Sequence, residues 1–282
     1  MRWMIAAAAV AVAALTIAGC GGGNSPAPPT PVVGSYLGDA FTTTGGNTEL
    51  VANIGFVVRA NGTVEGAAFT SAPVAEYDIF FTGAVDASQQ LQASGGMIGG
   101  NGTQDAGSFT MTGAVGASSG YDATGTFTAD NVGAGTWGAL FRRTANPIGC
   151  YMGAYTGDRS GIIAIMNFAL DDTVVMTKEA EAFHSDYFAA ANILTPPVQP
   201  GGDYGLRADD SFYNTGLVII GALNNLSASG TWSQPQNSTP LTGAWAADRP
   251  DSRAATRAVT TGPLRVRRVK HNSRSSPVAG HS

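Results

Sequence analysis

Cysteine, histidine and charge are all scarce in this chain, and each shortage removes a class of function. The 282 residues include two cysteines, Cys20 and Cys150, too few for the disulfide framework of a small secreted scaffold. His184 is the only histidine between Asn24 and Ala247, which excludes a histidine-rich zinc site from that span. Charged residues make up 12% of the chain. Between Asn24 and Ala247 six basic residues stand against 18 acidic ones, a net of −12 that argues against nucleic acid as a partner. Long Leu-rich helical windows are missing. The longest apolar run, from Met4 to Leu15, is too short to span a bilayer as a mature helix.

That apolar run follows Arg2 and leads into Ile17-Ala18-Gly19-Cys20, ahead of Gly21-Gly22-Gly23. A basic start, a short apolar core and small residues at the cut are the layout of a secretory signal. The ending resembles the lipobox of bacterial lipoproteins. The resemblance implies that residues 1–19 are a removed signal peptide and that Cys20 becomes the first mature residue, carrying diacylglycerol and a further acyl chain such as palmitate. Three acyl chains would hold the protein to a membrane essentially permanently, since each buried methylene contributes about 0.8 kcal/mol. Gly rather than Asp at position 21 resembles the default for transfer to the outer membrane. Placement on the periplasmic or the outer face stays open. Residues 20–31, with their Gly run and Pro cluster, read as a tether between lipid and body.

What the chain has in abundance is glycine: 38 residues, punctuating short β-branched and aromatic runs. That pattern predicts an all-β fold of antiparallel meanders closed into a barrel or a sandwich. The body also reads as duplicated. Gly34-Ser35-Tyr36-Leu37-Gly38 recurs as Gly149-Cys150-Tyr151-Met152-Gly153, and Ala123-Thr124-Gly125-Thr126-Phe127-Thr128 as Ala228-Ser229-Gly230-Thr231-Trp232-Ser233. The closing Gly135-Thr136-Trp137 recurs as Gly243-Ala244-Trp245, with Arg142 and Arg143 after the first and Arg249 after the second. The expected units are 32–145 and 146–249, as two domains or two halves of one barrel. In the first, strands are expected at 33–41, 50–60, 63–70, 77–85, 90–98, 108–115, 121–128 and 136–143, with a hairpin turn at Asn61-Gly62. In the second, strands are expected at 162–168, 173–177, 211–223, 226–233 and 241–247, with a short helix through 178–183 and 187–194. Residues 250–282 carry a net +6 and few apolar groups, the composition of a disordered basic tail.

Candidate chemistry is thin. Gly116-Ala117-Ser118-Ser119-Gly120 matches the nucleophile elbow G-x-S-x-G, which needs a sharp strand-to-helix turn above a parallel sheet. Here strands are expected on both sides, so the segment reads as a hairpin loop. Phe183-His184-Ser185-Asp186 reads as polar surface, and Gly99-Gly100-Asn101-Gly102-Thr103-Gln104-Asp105 is a single, misphased copy of a calcium-repeat pattern. Asp171-Asp172 and Asp209-Asp210 lack the fixed loop spacing of a calcium site and read as solvated charges. Cys150 takes the place of Ser35 in the repeat and is expected to be a buried, inert thiol. The shared aromatics Tyr36, Phe127, Trp137, Tyr151, Trp232 and Trp245 are either core anchors or a ligand-stacking surface.

These readings point to a lipid-anchored envelope protein with a non-enzymatic binding or structural role, no cofactor and no metal. Its expected partners are the membrane through Cys20 and either a small apolar ligand inside a barrel or another envelope protein. A surface-exposed interaction lipoprotein is the alternative, and a serine hydrolase using Ser118 a more distant one. The Gly-rich meander with aromatic closing strands resembles the barrel domains of surface lipoproteins of the transferrin-binding type, without a diagnostic motif.

Overall fold

The computed structural model describes residues 33–250 apart from 45, 71–75, 100–103, 117–119, 143–145, 170–171, 180–186, 192–202, 210–215 and 237–238. Among these residues every regular element is a strand. The first eight are β1 (Gly34–Thr44), β2 (Asn47–Val58), β3 (Thr63–Thr70), β4 (Asp78–Val85), β5 (Gln90–Gly99), β6 (Gln104–Val115), β7 (Ala123–Ala129) and β8 (Gly133–Arg142). They pair in chain order, and β8 returns to β1 to close an antiparallel barrel. A second ring follows: β9 (Gly149–Gly157), β10 (Gly161–Ala169), β11 (Asp172–Glu179), β12 (Tyr187–Ala191), β13 (Tyr204–Asp209), β14 (Val218–Leu223), β15 (Ser227–Gln234) and β16 (Leu241–Asp248), closed by β16 on β9. The all-β expectation holds, and the two units are two separate rings, not halves of one.

Period-two alternation decides what each wall does. In the first ring Tyr36, Ile54, Phe56, Val64, Ala68, Ile79, Phe81, Leu91, Phe109, Met111, Phe127 and Trp137 point inward and are buried together. Outward positions of β6 and β7, such as Thr110, Thr112, Thr126 and Thr128, are exposed. Apolar inside and hydroxyl outside is the reverse of a membrane-spanning barrel, whose outer wall must be apolar. Aromatic rings make up much of the filling: Tyr36 stacks on Phe56 at 4.8 Å, and Phe56 meets Trp137 edge-on at 5.9 Å.

The repeat is carried through to atomic detail. Trp137 Nε1 donates to the carbonyls of Thr112 and Thr126, and Trp245 Nε1 donates to those of Ile220 and Thr231. Each indole lies against a glycine: a Cβ on Gly113 would come within 2.6 Å of Trp137, and one on Gly221 within 2.5 Å of Trp245. Only a residue without a side chain lets the ring lie that close to the wall. The Asn61-Gly62 turn forms as expected, with Gly62 at φ 83° and its N–H donating to the Arg59 carbonyl.

Two features of the second ring depart from expectation. The first is secondary structure: residues 178–179, at the end of β11, and 187–191 form strand where a helix is expected, and β13 lies where no strand is expected, because these segments bridge the ring between β10 and β14 and complete it. The joint is narrow: β12 meets β13 through two residue pairs, whereas β4 meets β5 through eight. The second concerns Arg249, whose equivalent is Phe141. Tyr36 faces Phe141 and Gly38 faces Ala139 across β1 and β8; Gly153 faces Ala247 across β9 and β16, which sets Arg249 against Tyr151. Phe141 meets Tyr36 edge-on at 5.4 Å, and the Arg249 guanidinium lies 5.3 Å from the Tyr151 ring centre.

Candidate functional site

The barrels touch through their outer walls. From the outer wall of β1 to β4, Leu37, Val57, Ala67, Phe69 and Phe80 meet Cys150, Met152, Ala164, Met166, Phe168, Val174 and Met176 of the second barrel in one dry cluster. Gly55 lies at its centre, where a Cβ would fall 2.8 Å from the Met166 side chain and force it to shift. Polar groups fix the edges. The Cys150 N–H donates to Ser35 Oγ at 2.6 Å, and buried Asn167 donates to the Pro147 carbonyl while accepting from Thr173.

Beyond this contact the walls diverge and leave a crevice of about 520 Å³. Glu65 on β3, Phe80 and Thr82 on β4, and Ser94 to Gly96 on β5 form one side. Met152 and Ala154 on β9, Ile162 on β10 and Lys178 on β11 form the other. At one end Arg59 clamps the barrels together: its Nη2 is 2.8 Å from Glu65, its Nη1 2.5 Å from Asp248, and Nη2 also donates to the Met152 carbonyl at 3.3 Å. Burial opposes the Arg59 charge, but the hydrogen bonds and charges of Asp248 and Glu65 outweigh it and hold its pKa above the ordinary value. Lys178 is half-buried at the opposite wall, its ammonium 3.9 Å from where a Cβ on Gly96 would sit. Among the described residues it forms no ion pair. Ile162 beside it is 37% exposed, one of three large apolar side chains left open to water among those described.

By contrast the interior gaps lined by described residues are small. The gap lined by Phe127 and Trp137 is about 10 Å³, and the gap lined by Tyr155, Trp232 and Trp245 about 20 Å³, room for a single water at most. Tyr36 and Tyr151 are fully buried, and Phe127, Trp137, Trp232 and Trp245 keep no more than 5% of their surface. All six therefore lie in the cores. Burial, with a smaller contribution from Asp122, pushes the Tyr36 phenol far up; burial likewise raises that of Tyr151.

A second polar cluster lies on the outside of the first barrel. Asp39 is 5% exposed and accepts from Asn53 Nδ2 at 2.7 Å. Burial raises its carboxyl to about 6, although Asn53 and the nearby Arg142 pull the other way. Burial lowers the Arg142 pKa against the pull of Asp122 and Asp39, and its Nε has no hydrogen-bond partner among the described residues. Tyr121 covers the neighbouring strand at Gly138, and Asp122 accepts from the Phe141 N–H. Perturbed acids often mark functional sites. None of these three cavities is lined by Asp39, Asn53, Tyr121, Asp122 or Arg142.

Cys150 is buried, and its thiol is pushed well above the ordinary range, chiefly by burial. Gly116 and Gly120 lie between antiparallel β6 and β7, a hairpin and not a strand-to-helix elbow. Cys20, Ser118, Arg143, His184, Asp171, Asp210 and the tail from 251 lie outside the described residues, as does 100–103 of the calcium-like stretch. Asp172 and Asp209 end up on different strands, with Asp209 paired to Arg207 at 2.8 Å.

No protein-family model matches the chain, and no curated protein matches it. Among solved structures it is similar to a Bacteroides fragilis protein assigned, by inference, to the outer membrane. The two share 14% identity over 78% of this chain and 98% of that one, with a TM-score of 0.27. At that score the likeness supports no conclusion about this chain.

Proposed function

We propose that this chain is a lipid-anchored protein of the bacterial cell envelope, held at the outer membrane through Cys20, whose joined barrels bind a ligand without chemically changing it. The observation that carries the binding role is the contrast between the small gaps inside the barrels and the 520 Å³ crevice between them, a volume ordinary for small-ligand sites. The anchor rests on the lipobox-like Ile17-Ala18-Gly19-Cys20. The hydroxyl-rich outer wall of β6 and β7 suits a body that stands in water beside a membrane.

Native mass spectrometry tests both parts. Chain made in a lipoprotein-processing bacterium should begin at a Cys20 carrying three acyl chains, and Cys20→Ser should keep its unprocessed mass. Full chain with Cys20→Ser, taken from cells without detergent, should carry a discrete added mass that disappears on denaturation. Ile162→Trp, which sets a bulkier ring across the apolar strip of the crevice, should remove that mass. A bare mass before and after Ile162→Trp would sink the binding reading, and an unmodified mature Cys20 would sink the anchor.

A further inference from the structure

We infer that the crevice takes a single-chain amphiphile with an anionic head, its tail between the barrels and its head at Lys178. This rests on the crevice being a binding site.

The floor of the crevice is set by the dry cluster. Phe80 and Met152 belong to that cluster and also line the opening, and Ile162 extends the apolar strip toward solvent. Phe81, an inward residue, reaches the same space where Gly66 and Gly95 thin the first barrel's wall. Flexible, polarisable Met beside aromatic rings makes a surface that fits an alkyl chain without demanding one shape. Removing such a strip from water favours occupancy by apolar matter.

The charges decide the head. The Arg59 end offers no spare cation, because Glu65 and Asp248 already hold both of its terminal nitrogens. Arg159, on the far side of β11, is held by Glu179 at 2.7 Å. Lys178 alone among the basic residues lining the crevice lacks a carboxylate among the described residues, and the Thr82 and Ser94 hydroxyls line the space with it. Three ammonium donors beside two hydroxyls that can also donate complement an anion, and the ammonium charge repels a cation. A cationic amphiphile would have only Glu65, already occupied by Arg59.

The test is calorimetric titration of the full chain carrying Cys20→Ser, so that no lipid of its own competes, with dodecanoate and with 1-dodecanol. Dodecanoate should bind one per chain and at least tenfold more tightly than the alcohol, the ratio expected for one charge-assisted contact. Lys178→Gln should erase that ratio and leave alcohol binding unchanged; Ile162→Trp should abolish both. A ratio that survives Lys178→Gln overturns the anionic assignment. Equal binding of both probes, lost in Ile162→Trp, also overturns it while leaving the crevice as a site. No binding of either probe, or binding indifferent to Ile162→Trp, removes the crevice reading itself. A dimer that disappears with Ile162→Trp would mean that a second copy fills the crevice, and the proposal would fall.

Discussion

The two barrels follow one plan and seal it differently. In the first, a hydrocarbon ring, Phe141, closes over Tyr36; in the second, a guanidinium, Arg249, closes over Tyr151. Phe141 needs only apolar neighbours. Arg249 is 2% exposed and donates to the carbonyls of Asn146, Ile148 and Asn225, so it also ties down the connection between the barrels. Burial lowers its pKa, opposed by Tyr151 and Cys150. The first seal is local packing; the second is a hydrogen-bonded hub that joins three segments. The rings differ in the same sense: every seam of the first is broad, and the second is narrow at β12 and β13. The two barrels share the indole anchors and the glycines beneath them and differ at their ends.

The largest effect should come from what the barrels share. Trp137→Ala and Trp245→Ala each remove a buried indole and should cost about 3–5 kcal/mol. Denaturant titration read by hydrogen exchange should then show the damaged barrel opening first; equal loss across both would mean that the barrels melt as one unit. Next comes what they do not share. Arg249→Ala leaves three carbonyls without this donor and should cost about 3 kcal/mol or more. Phe141→Ala, at a half-buried site, should cost about half the usual penalty for losing a core Phe, roughly 2 kcal/mol. If Phe141→Ala proves the worse, the hub account of Arg249 is wrong.

Asp39 sharpens the contrast further, since its counterpart in the second barrel is Ala154 by register. A folded-state pKa near 6, above the ordinary 3.8, means that the native protein binds the proton more tightly than the unfolded chain. Stability should therefore be greatest below pH about 4, fall as pH rises toward 6, and stay lower above it, by roughly 2 kcal/mol. In Asp39→Asn that slope should vanish in melts run from pH 4 to 7, and persistence of the slope would assign it elsewhere. The smallest effect belongs to Cys150 against Ser35: iodoacetamide should leave the native thiol unlabelled at pH 8 and label it in denaturant.

Much of the fold was legible because it is local. All eight strands of the first barrel fall on the expected runs, within a few residues at each end, and the repeated Gly-x-Tyr-x-Gly and Gly-Thr-aromatic segments mark equivalent strands. The second barrel was harder, because Lys178-Glu179-Ala180-Glu181-Ala182 has strong helix formers and lies beside β12, whose strand state is set by neighbours distant in sequence. That Phe141 is the counterpart of Arg249 follows only from register, since the arginines after the two closing strands do not occupy equivalent positions. The crevice was missed altogether. Its signal was present in Leu50–Val58 and in Ile162–Phe168, where apolar residues occupy both faces of a strand. An antiparallel strand without a polar face has something packed against both sides. No run of residues, however, says where two such walls part.

The described chain begins and ends in one place. Gly34 pairs with Val58, next to Arg59; Arg249 and Ser35 both crowd Gly149. With lipid on Cys20, thirteen residues before Val33, the body would hang from this pole within about 45 Å of the bilayer. The Arg59 end of the crevice lies at the same pole. An amphiphile leaving that leaflet would meet the crevice at the high effective concentration that a short tether imposes. Weak intrinsic affinity would then suffice, and release would require only that the ligand move out of the tether's reach.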